Sequence, residues 1–413
     1  MIRIPQLPSS FYDDDPVLAH IRQAAWSPDT NPVSPDAVLG VLLCRVAAMT
    51  PPRIVLPDVG GSLNFITGIV GPPGIGKTTA NRIARRLLDD INTPLDNKPI
   101  GSGEGLVEAY LRRQKVQDGE TGRWEKVQAH TSAYFYVDEA ETFINSRKRD
   151  NGSNTLATLR SMWSGATGGS TNATEETTRL LEDGSYRFAC AMGFQPVYAA
   201  QLLRDDAAGT PQRFLWVSAL DVNIPDVPSS WPGRLNVRQP TGDTIPVDRE
   251  IRRIIRGESV RKTRGELVVD SHDTHGRFLQ LKTAALLSIL CDGSDGVSPR
   301  WWAKASELVE TSRNIRRAIQ DDEAAKVRQA EDDALEHQIA REDTKAEHRA
   351  MRISRNLGKR ARQRGSAPFG SLVKDLASRD RHDADLGHAL EHGFLVQIGK
   401  ADNYGPGPNV PSA

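Results

Sequence analysis

A glycine-rich stretch at residues 71–78 has the spacing of a phosphate-binding loop. It comprises Gly71, Pro72, Pro73, Gly74, Ile75, Gly76, Lys77 and Thr78, and Thr79 follows it. An apolar run, Phe65 to Val70, precedes it and a helical pattern, Thr79 to Asp90, succeeds it, which disfavours a chance glycine-rich turn. We expect residues 71–79 to hold the phosphates of ATP, with the backbone N–H groups of the non-proline residues turned towards the phosphates. Lys77 would reach the β- and γ-phosphates, and the Thr78 hydroxyl would bind Mg²⁺.

An acidic pair, Asp138 and Glu139, ends a second apolar run, Tyr134 to Val137. Asp138 is expected to hold Mg²⁺ through water, and Glu139 to act as general base on the attacking water. An acidic pair at a strand end is also common surface chemistry. The phosphate-binding loop upstream favours the catalytic interpretation. The acidic pair also favours hydrolysis of ATP over transfer of its phosphoryl group to a bound metabolite.

Two further side chains are candidates for contact with the γ-phosphate. Gln195 follows a third apolar run, Tyr186 to Phe194, where a polar group can orient the attacking water; a solvated strand end is the alternative. Arg213 precedes the apolar run Phe214 to Val217 and is a candidate arginine finger for a neighbouring subunit. A salt bridge within the chain is the alternative for Arg213.

The pattern of elements that must position these residues predicts an α/β fold. A helix over Pro35 to Met49 is followed by alternating strand, loop and helix, which favours a three-layer P-loop domain with a parallel sheet. We expect the following division: an N-terminal helical segment (1–58), the ATPase core (59–245), a helical lid (246–320), a long charged helix (321–364), a winged-helix-like domain (365–400) and a disordered tail (401–413).

The composition of the 413-residue chain limits the partners and the cellular environment that we expect for the protein. It has 53 basic and 53 acidic residues, so its net charge of zero offers no global attraction for nucleic acid. Its three cysteines lie far apart and predict no disulfide framework or metal site. The apolar runs are too short for a membrane span and the start lacks a signal peptide, so we expect a cytoplasmic protein.

These motifs resemble the helicase-type ATPase module of primase and helicase proteins from actinobacterial phages and other mobile elements. The matching stretches are Gly101 to Leu106, the two motifs above, Tyr186 to Pro196 and Gly209 to Trp216. The layout is also similar to the minichromosome-maintenance branch of the AAA+ ATPases. That resemblance implies a finger at Arg213 and a second sensor at Arg277, within His275 to Phe278. Because no primase region precedes the ATPase motifs, priming would fall to a separate primase.

The same resemblance implies places where DNA would touch the chain. A hairpin at Lys115 to Trp124 would bring basic side chains into the channel of a ring, and a second loop, residues 168–184, carries another. The candidates in these two regions are Lys115, Arg123, Lys126 and Arg179. Basic residues before and within the winged-helix-like region are further candidates: Arg360, Arg362, Arg364, Arg379 and Arg381. Solvated surface charge is the alternative for both sets.

Two histidine clusters are weaker candidates for metal binding. The first comprises Asp270, His272, Asp273 and His275, and helix capping by Asp273 or Thr274 explains it. His388 and His392 share one helix face, but the sequence shows no partner for them.

These observations together predict a hexameric AAA+ motor that uses ATP and Mg²⁺ to move along or unwind single-stranded DNA in its channel. An ATP-switched initiator or helicase loader without unwinding is the first alternative. A defence or signalling ATPase with a protein partner is the second.

Overall fold

The computed structural model of the protein describes residues 2–57, 61–89, 91, 93, 95–116, 123–141, 144, 153–170, 178–204, 209–268, 273–293, 296–399 and 402–411. The chain divides into two compact units, Met1–Glu323 and Ala324–Ala413. No helix among these residues is long and apolar enough to cross a membrane.

A parallel sheet forms the centre of the first unit. The strands of the chain are β1 (Phe65–Val70), β2 (Leu111–Val116), β3 (Arg123–Gln128), β4 (Ser132–Val137), β5 (Gly168–Ser170), β6 (Arg179–Leu181), β7 (Arg187–Phe194), β8 (Phe214–Ser218), β9 (Leu395–Gln397) and β10 (Tyr404–Pro406). The central sheet has the order β4-β7-β1-β8, with all neighbours parallel. Every residue of β1, β7 and β8 is buried, as expected for strands covered on both faces. The predicted α/β class with a parallel sheet is therefore confirmed.

Both units contain helices. They are α1 (Ser10–Asp13), α2 (Pro16–Ala25), α3 (Pro35–Met49), α4 (Lys77–Leu87), α5 (Gly103–Glu108), α6 (Ser153–Ser164), α7 (Pro196–Leu203), α8 (Arg249–Thr263), α9 (Gly276–Asp292), α10 (Pro299–Arg364), α11 (Phe369–Lys374) and α12 (Leu386–Glu391). The apolar helix α3 is buried along nearly its whole length and packs on all four strands of the sheet and on α4.

The segment predicted as a helical lid belongs to the main core. One hydrophobic cluster runs from Ile4 to Ile319, and α9 is buried within it. Lys282 on α9 donates hydrogen bonds from Nζ to the carbonyls of Asn64 and Trp163, at 2.9 and 2.6 Å. The predicted N-terminal segment, the predicted ATPase core and the predicted lid are thus packed together in the first unit.

The second unit has its own small core, which includes Ile353, Leu357 and Leu372. Helices α11 and α12 precede the strands β9 and β10, and the winged-helix assignment stays a prediction. The predicted disordered tail is wrong for residues 402–411. Tyr404–Pro406 pairs with Leu395–Gln397, and Val410 is buried. Glycine and proline here form a paired edge strand and a turn.

Candidate active site

The phosphate-binding loop lies between β1 and α4, as its spacing predicts. Gly76 has a φ of 83°, a left-handed conformation that favours glycine, and α4 begins at the next residue. A Cβ at Gly76 would also come within 2.7 Å of Val33 Cγ1. The first turn of α4 directs unpaired N–H groups and the positive end of the helix dipole towards the loop, which suits an anion.

Lys77 is folded back onto the loop that it follows. Its Nζ donates to the carbonyls of Gly71 and Pro72 at 3.0 and 2.8 Å. Burial lowers the pKa of this amine, although Glu139 and Asp138 act in the opposite direction. A phosphate group bound in the loop would give the ammonium a charged partner in place of two carbonyls.

The two residues predicted to hold Mg²⁺ are in direct contact. Thr78 Oγ1 donates to Asp138 Oδ1 at 2.5 Å, although the residues are 60 positions apart. The Tyr136 hydroxyl donates to the same carboxylate oxygen at 3.1 Å. A hydroxyl and a carboxylate are hard oxygen ligands of the kind that Mg²⁺ prefers. The donor set beside the loop therefore fits a magnesium nucleotide.

The order of the sheet decides where Gln195 lies. Strand β7 lies between β1 and β4, and Gln195 is the residue that follows β7 and precedes α7. Since the carboxyl ends of parallel strands meet at one edge, Gln195 emerges between the phosphate-binding loop and the acidic pair. Glu139 is exposed at the same edge.

Two residues at this edge were missed by the sequence analysis. A Cβ at Gly193 in β7 would lie 2.3 Å from the Asp138 carbonyl oxygen and 3.4 Å from Lys77 Cδ, so only glycine allows this approach. Asn31 donates from Nδ2 to Thr79 Oγ1 at 2.8 Å, which places the segment between α2 and α3 against the start of α4. A glycine one residue before the end of an apolar strand was the available signal for Gly193. Asn31 had none.

The predicted arginine finger and second sensor are engaged within the first unit. Arg213 donates from Nη1 to the Gly209 carbonyl at 2.7 Å and lies over the Trp163 ring. Burial, with a contribution from Arg160, lowers the pKa of Arg213 to about 10. Arg277 forms a two-pronged pair with Glu258 at 2.7 and 2.5 Å. Either guanidinium would have to leave these partners to reach a γ-phosphate.

The predicted hairpin is present as β2 and β3, whereas its turn, residues 117–122, and the side chain of Arg123 lie outside the described residues. Lys115 is exposed and pairs across the strands with Trp124, whose surface is 57% exposed. Lys126 Nζ lies 2.7 Å from Glu108 Oε2, and Arg179 Nε lies 2.8 Å from the same oxygen. The hairpin face that carries Lys115 thus gains an aromatic ring that the sequence analysis did not single out.

The C-terminal basic candidates have local contacts in the second unit. Arg362 donates to the carbonyls of Val410 and Pro411, Arg381 to that of Leu376, and Arg360 to the Gln363 side chain. Arg364 pairs with Asp375 at 2.7 Å. Arg379 has an 80% exposed side chain, 3.9 Å from Asp380. Most of these basic side chains therefore have hydrogen-bond or ion-pair partners within the second unit.

A basic groove on the first unit was not anticipated. The groove is a cavity of about 700 Å³, lined in part by Val247, Val260 and Leu281. Four arginines at helical spacing along α8 also line it: Arg249, Arg252, Arg253 and Arg256. Arg253 pairs with Glu250 at 2.5 Å. The spacing of these arginines in the sequence was the available signal.

The predicted helix capping by Asp273 or Thr274 is wrong, because His275 is the N-cap residue of α9 and makes no side-chain capping hydrogen bond. Asp273 accepts hydrogen bonds from Arg313 at 3.0 and 2.7 Å. Asp270 and His272 lie outside the described residues.

Comparisons with known proteins add little to this geometry. No protein-family model matches the chain, and no curated protein matches it. Among solved structures, the active helicase Cch of SCCmec type IV is similar over 95% of this chain and 68% of that chain, at 10% identity and a TM-score of 0.26. A similarity of this size assigns neither a fold nor an activity.

Proposed function

We propose that the protein is an ATP-hydrolysing DNA motor, a helicase of a phage or mobile element that works as a hexameric ring. The observation that carries the proposal is the contact of Thr78 with Asp138 beside Lys77 at the carboxyl edge of a parallel sheet. This edge combines a phosphate-binding loop, a magnesium ligand set and a carboxylate that can activate water.

Each residue of the site has one task in this proposal. The loop of residues 71–79 binds the phosphates through the N–H groups of residues 74–79 and the Lys77 ammonium, and Thr78 and Asp138 hold Mg²⁺. Bound Mg²⁺ would supply charge neutralisation at the β- and γ-phosphates. Glu139 accepts a proton from the attacking water, and Gln195 orients that water.

The DNA-binding part of the proposal is supported by two surfaces of the first unit. On the hairpin, Trp124 and Lys115 combine an exposed ring with positive charge, which suits stacking on a base and pairing with a phosphate. On α8, the arginine-lined groove suits a phosphate backbone. Arg123 and Arg179 remain candidates for the same strand.

The ring is proposed because an arginine finger acts across a subunit interface. Arg213 would serve the ATP of the neighbouring subunit, and Arg277 would contact the γ-phosphate of its own or an adjacent site. Their present partners, Gly209 and Glu258, would be exchanged for phosphate oxygens on assembly. A separate primase would supply primers.

A DNA-bound initiator or loader is the second candidate function. The pair of short helices followed by the β9–β10 hairpin in the second unit favours it, because such an arrangement suits duplex binding. In that case ATP would switch assembly and no strands would separate.

The test is steady-state ATP hydrolysis with and without single-stranded DNA, for the wild type, Glu139→Gln and Arg213→Ala. Loss of the general base should lower turnover by about 10²- to 10⁴-fold while ATP binding persists. Arg213→Ala should abolish the DNA-stimulated turnover, whereas Arg317→Ala, at an exposed arginine of α10, should behave as the wild type.

The outcomes separate the hypotheses. Wild-type turnover in Glu139→Gln would refute the active site. Stimulation by duplex alone would favour the initiator or loader. Turnover that ignores DNA would leave the ATPase intact and favour a defence or signalling ATPase with a protein partner.

A further inference from the structure

Three potential metal ligands meet in the second unit. Glu347 lies on α10, His388 on α12 and His392 directly after α12. One ligand atom of each lies within 4.8 Å of the other two. Nε2 of His388 is 3.4 Å from Glu347 Oε1, and Nε2 of His392 is 3.9 Å from the same oxygen.

Local structure sets the two histidines side by side. Residues four apart on a helix share a face, and the two rings lie with their centroids 4.3 Å apart. The Asp385 side chain caps α12 by accepting from the His388 N–H at 3.2 Å. The start of the helix that presents both rings is therefore defined.

A buried hydroxyl orients one of the rings. Ser354 Oγ lies 3.0 Å from His388 Nδ1, and Ser354 is only 1% exposed. Glu347 and Ser354 are seven residues apart, so they lie on one face of α10 and the His388 ring bridges them through its two nitrogens. In the tautomer whose Nδ1–H donates to Ser354, the Nε2 lone pair is directed to the Glu347 side. Metal-binding histidines generally have such a partner on the second nitrogen.

The distances suit a small tetrahedral ion. Ligand bonds of about 2.0–2.1 Å in a tetrahedron place the ligand atoms roughly 3.4 Å apart. The observed separations from Glu347, 3.4 and 3.9 Å, need only small side-chain adjustments. Two imidazole nitrogens and one carboxylate oxygen are a zinc ligand set with one open position, whereas Mg²⁺ prefers oxygen ligands alone.

We propose that Glu347, His388 and His392 form a zinc-binding site in the second unit, with water as the fourth ligand. The ion would join α10 to α12 and stabilise the unit, because it binds the folded arrangement of ligands. The competing explanation is an ion pair of Glu347 with a protonated imidazole and no metal. The proposal does not depend on the ATPase activity.

The test is a titration of the full-length, metal-stripped protein with Co²⁺ as a visible probe, followed by displacement with Zn²⁺. Thr78 and Asp138 offer a second divalent site, so the titration is run without nucleotide and repeated in Asp138→Asn. We expect one Co²⁺ per chain with the strong visible absorption of a tetrahedral site, and its loss on addition of Zn²⁺.

Matched variants locate the ion. His388→Ala and His392→Ala should each abolish the visible band, as should Glu347→Gln, whose exposed position makes it the variant most certain to fold. Ser354→Ala should weaken Co²⁺ binding by about 10- to 100-fold. His337→Ala, at an exposed histidine of the same helix, should match the wild type. Absence of the band in the wild type, or its persistence in Glu347→Gln and His392→Ala, would overturn the proposal.

Discussion

Gly193 packs closely against the backbone of Asp138 and the side chain of Lys77. An alanine methyl group would lie 2.3 Å from the Asp138 carbonyl oxygen, so Asp138 would have to move. A displacement of about 1 Å at a reacting group can reduce a rate by about 10²-fold. We therefore expect Gly193→Ala to reduce ATP turnover by at least about this factor, measured at saturating ATP.

A matched glycine separates this effect from general damage. A Cβ at Gly101 would meet nothing within 4 Å, so Gly101→Ala should retain wild-type turnover. Circular dichroism of both variants would establish that they fold. A folded Gly193→Ala protein with wild-type turnover would contradict the role of the close approach.

The lowered pKa of His275 predicts that the stability of the folded protein depends on pH. Burial, together with the positive charges of Arg213 and Lys282, lowers its pKa from the ordinary 6.5 to about 4. Between these values the unfolded chain binds a proton that the folded chain does not. The stability associated with neutral His275 is therefore complete above pH 6.5 and is lost as the pH falls towards 4.

Urea unfolding at several pH values between 7 and 4.5 would measure this effect. One full proton corresponds to a slope of about 1.4 kcal/mol per pH unit, and partial exposure makes the observed change smaller. His275→Gln should flatten the curve relative to the wild type, whereas the exposed His337→Gln should not. Identical curves for His275→Gln and the wild type would show that His275 does not titrate as stated.

At the scale of elements, the β2–β3 hairpin carries the prediction for single-stranded DNA. Trp124 exposes 57% of its surface beside Lys115, and stacking of one base on such a ring is worth about 1–3 kcal/mol. Trp124→Ala should weaken binding of a labelled oligonucleotide by roughly 5- to 150-fold in fluorescence anisotropy. Trp124→Phe should retain most of the affinity.

The opposite face of the hairpin provides the control. Gln114 alternates with Arg113 and Lys115 along β2 and therefore points to the other side. Gln114→Ala should bind DNA as the wild type does. Equal affinity of Trp124→Ala and Gln114→Ala would remove the hairpin from the DNA interface.

For the whole molecule, the net charge is zero, but positive charge is concentrated at one groove. The 53 basic and 53 acidic residues cancel, yet the groove along α8 is lined by four arginines. Affinity for DNA falls as salt rises, so log affinity plotted against log salt has a negative slope. If DNA phosphates lie in the groove, each lost contact should make this slope shallower by about 0.7 for a single strand. Arg252→Gln combined with Arg256→Gln should thus make the slope shallower by about 1.4.

The comparison variant for this measurement is Arg317→Gln, an exposed arginine on α10. It should leave the slope unchanged. A slope in the double variant equal to that of the wild type would show that the groove does not hold phosphates.

Local patterns in the sequence were sufficient to predict much of the fold. The spacing from Gly71 to Thr78 predicted the loop between β1 and α4, and continuous apolar runs predicted the strands β4, β7 and β8. The β2–β3 hairpin was instead implied by the resemblance to the helicase-type module. These features depend on neighbours in the chain, because periodicity and turn chemistry act over a few residues.

Contacts between distant residues were decided by the tertiary structure alone. The order β4-β7-β1-β8 brings Asp138 to Thr78 across 60 positions and places Gln195, which follows β7, at the same edge of the sheet. In the same way, Glu347 becomes the partner of His388 from 41 positions away, and α9 becomes part of the main core. A sequence pattern shows which face of an element is apolar or charged, but the packing of that face against a distant element determines its partners.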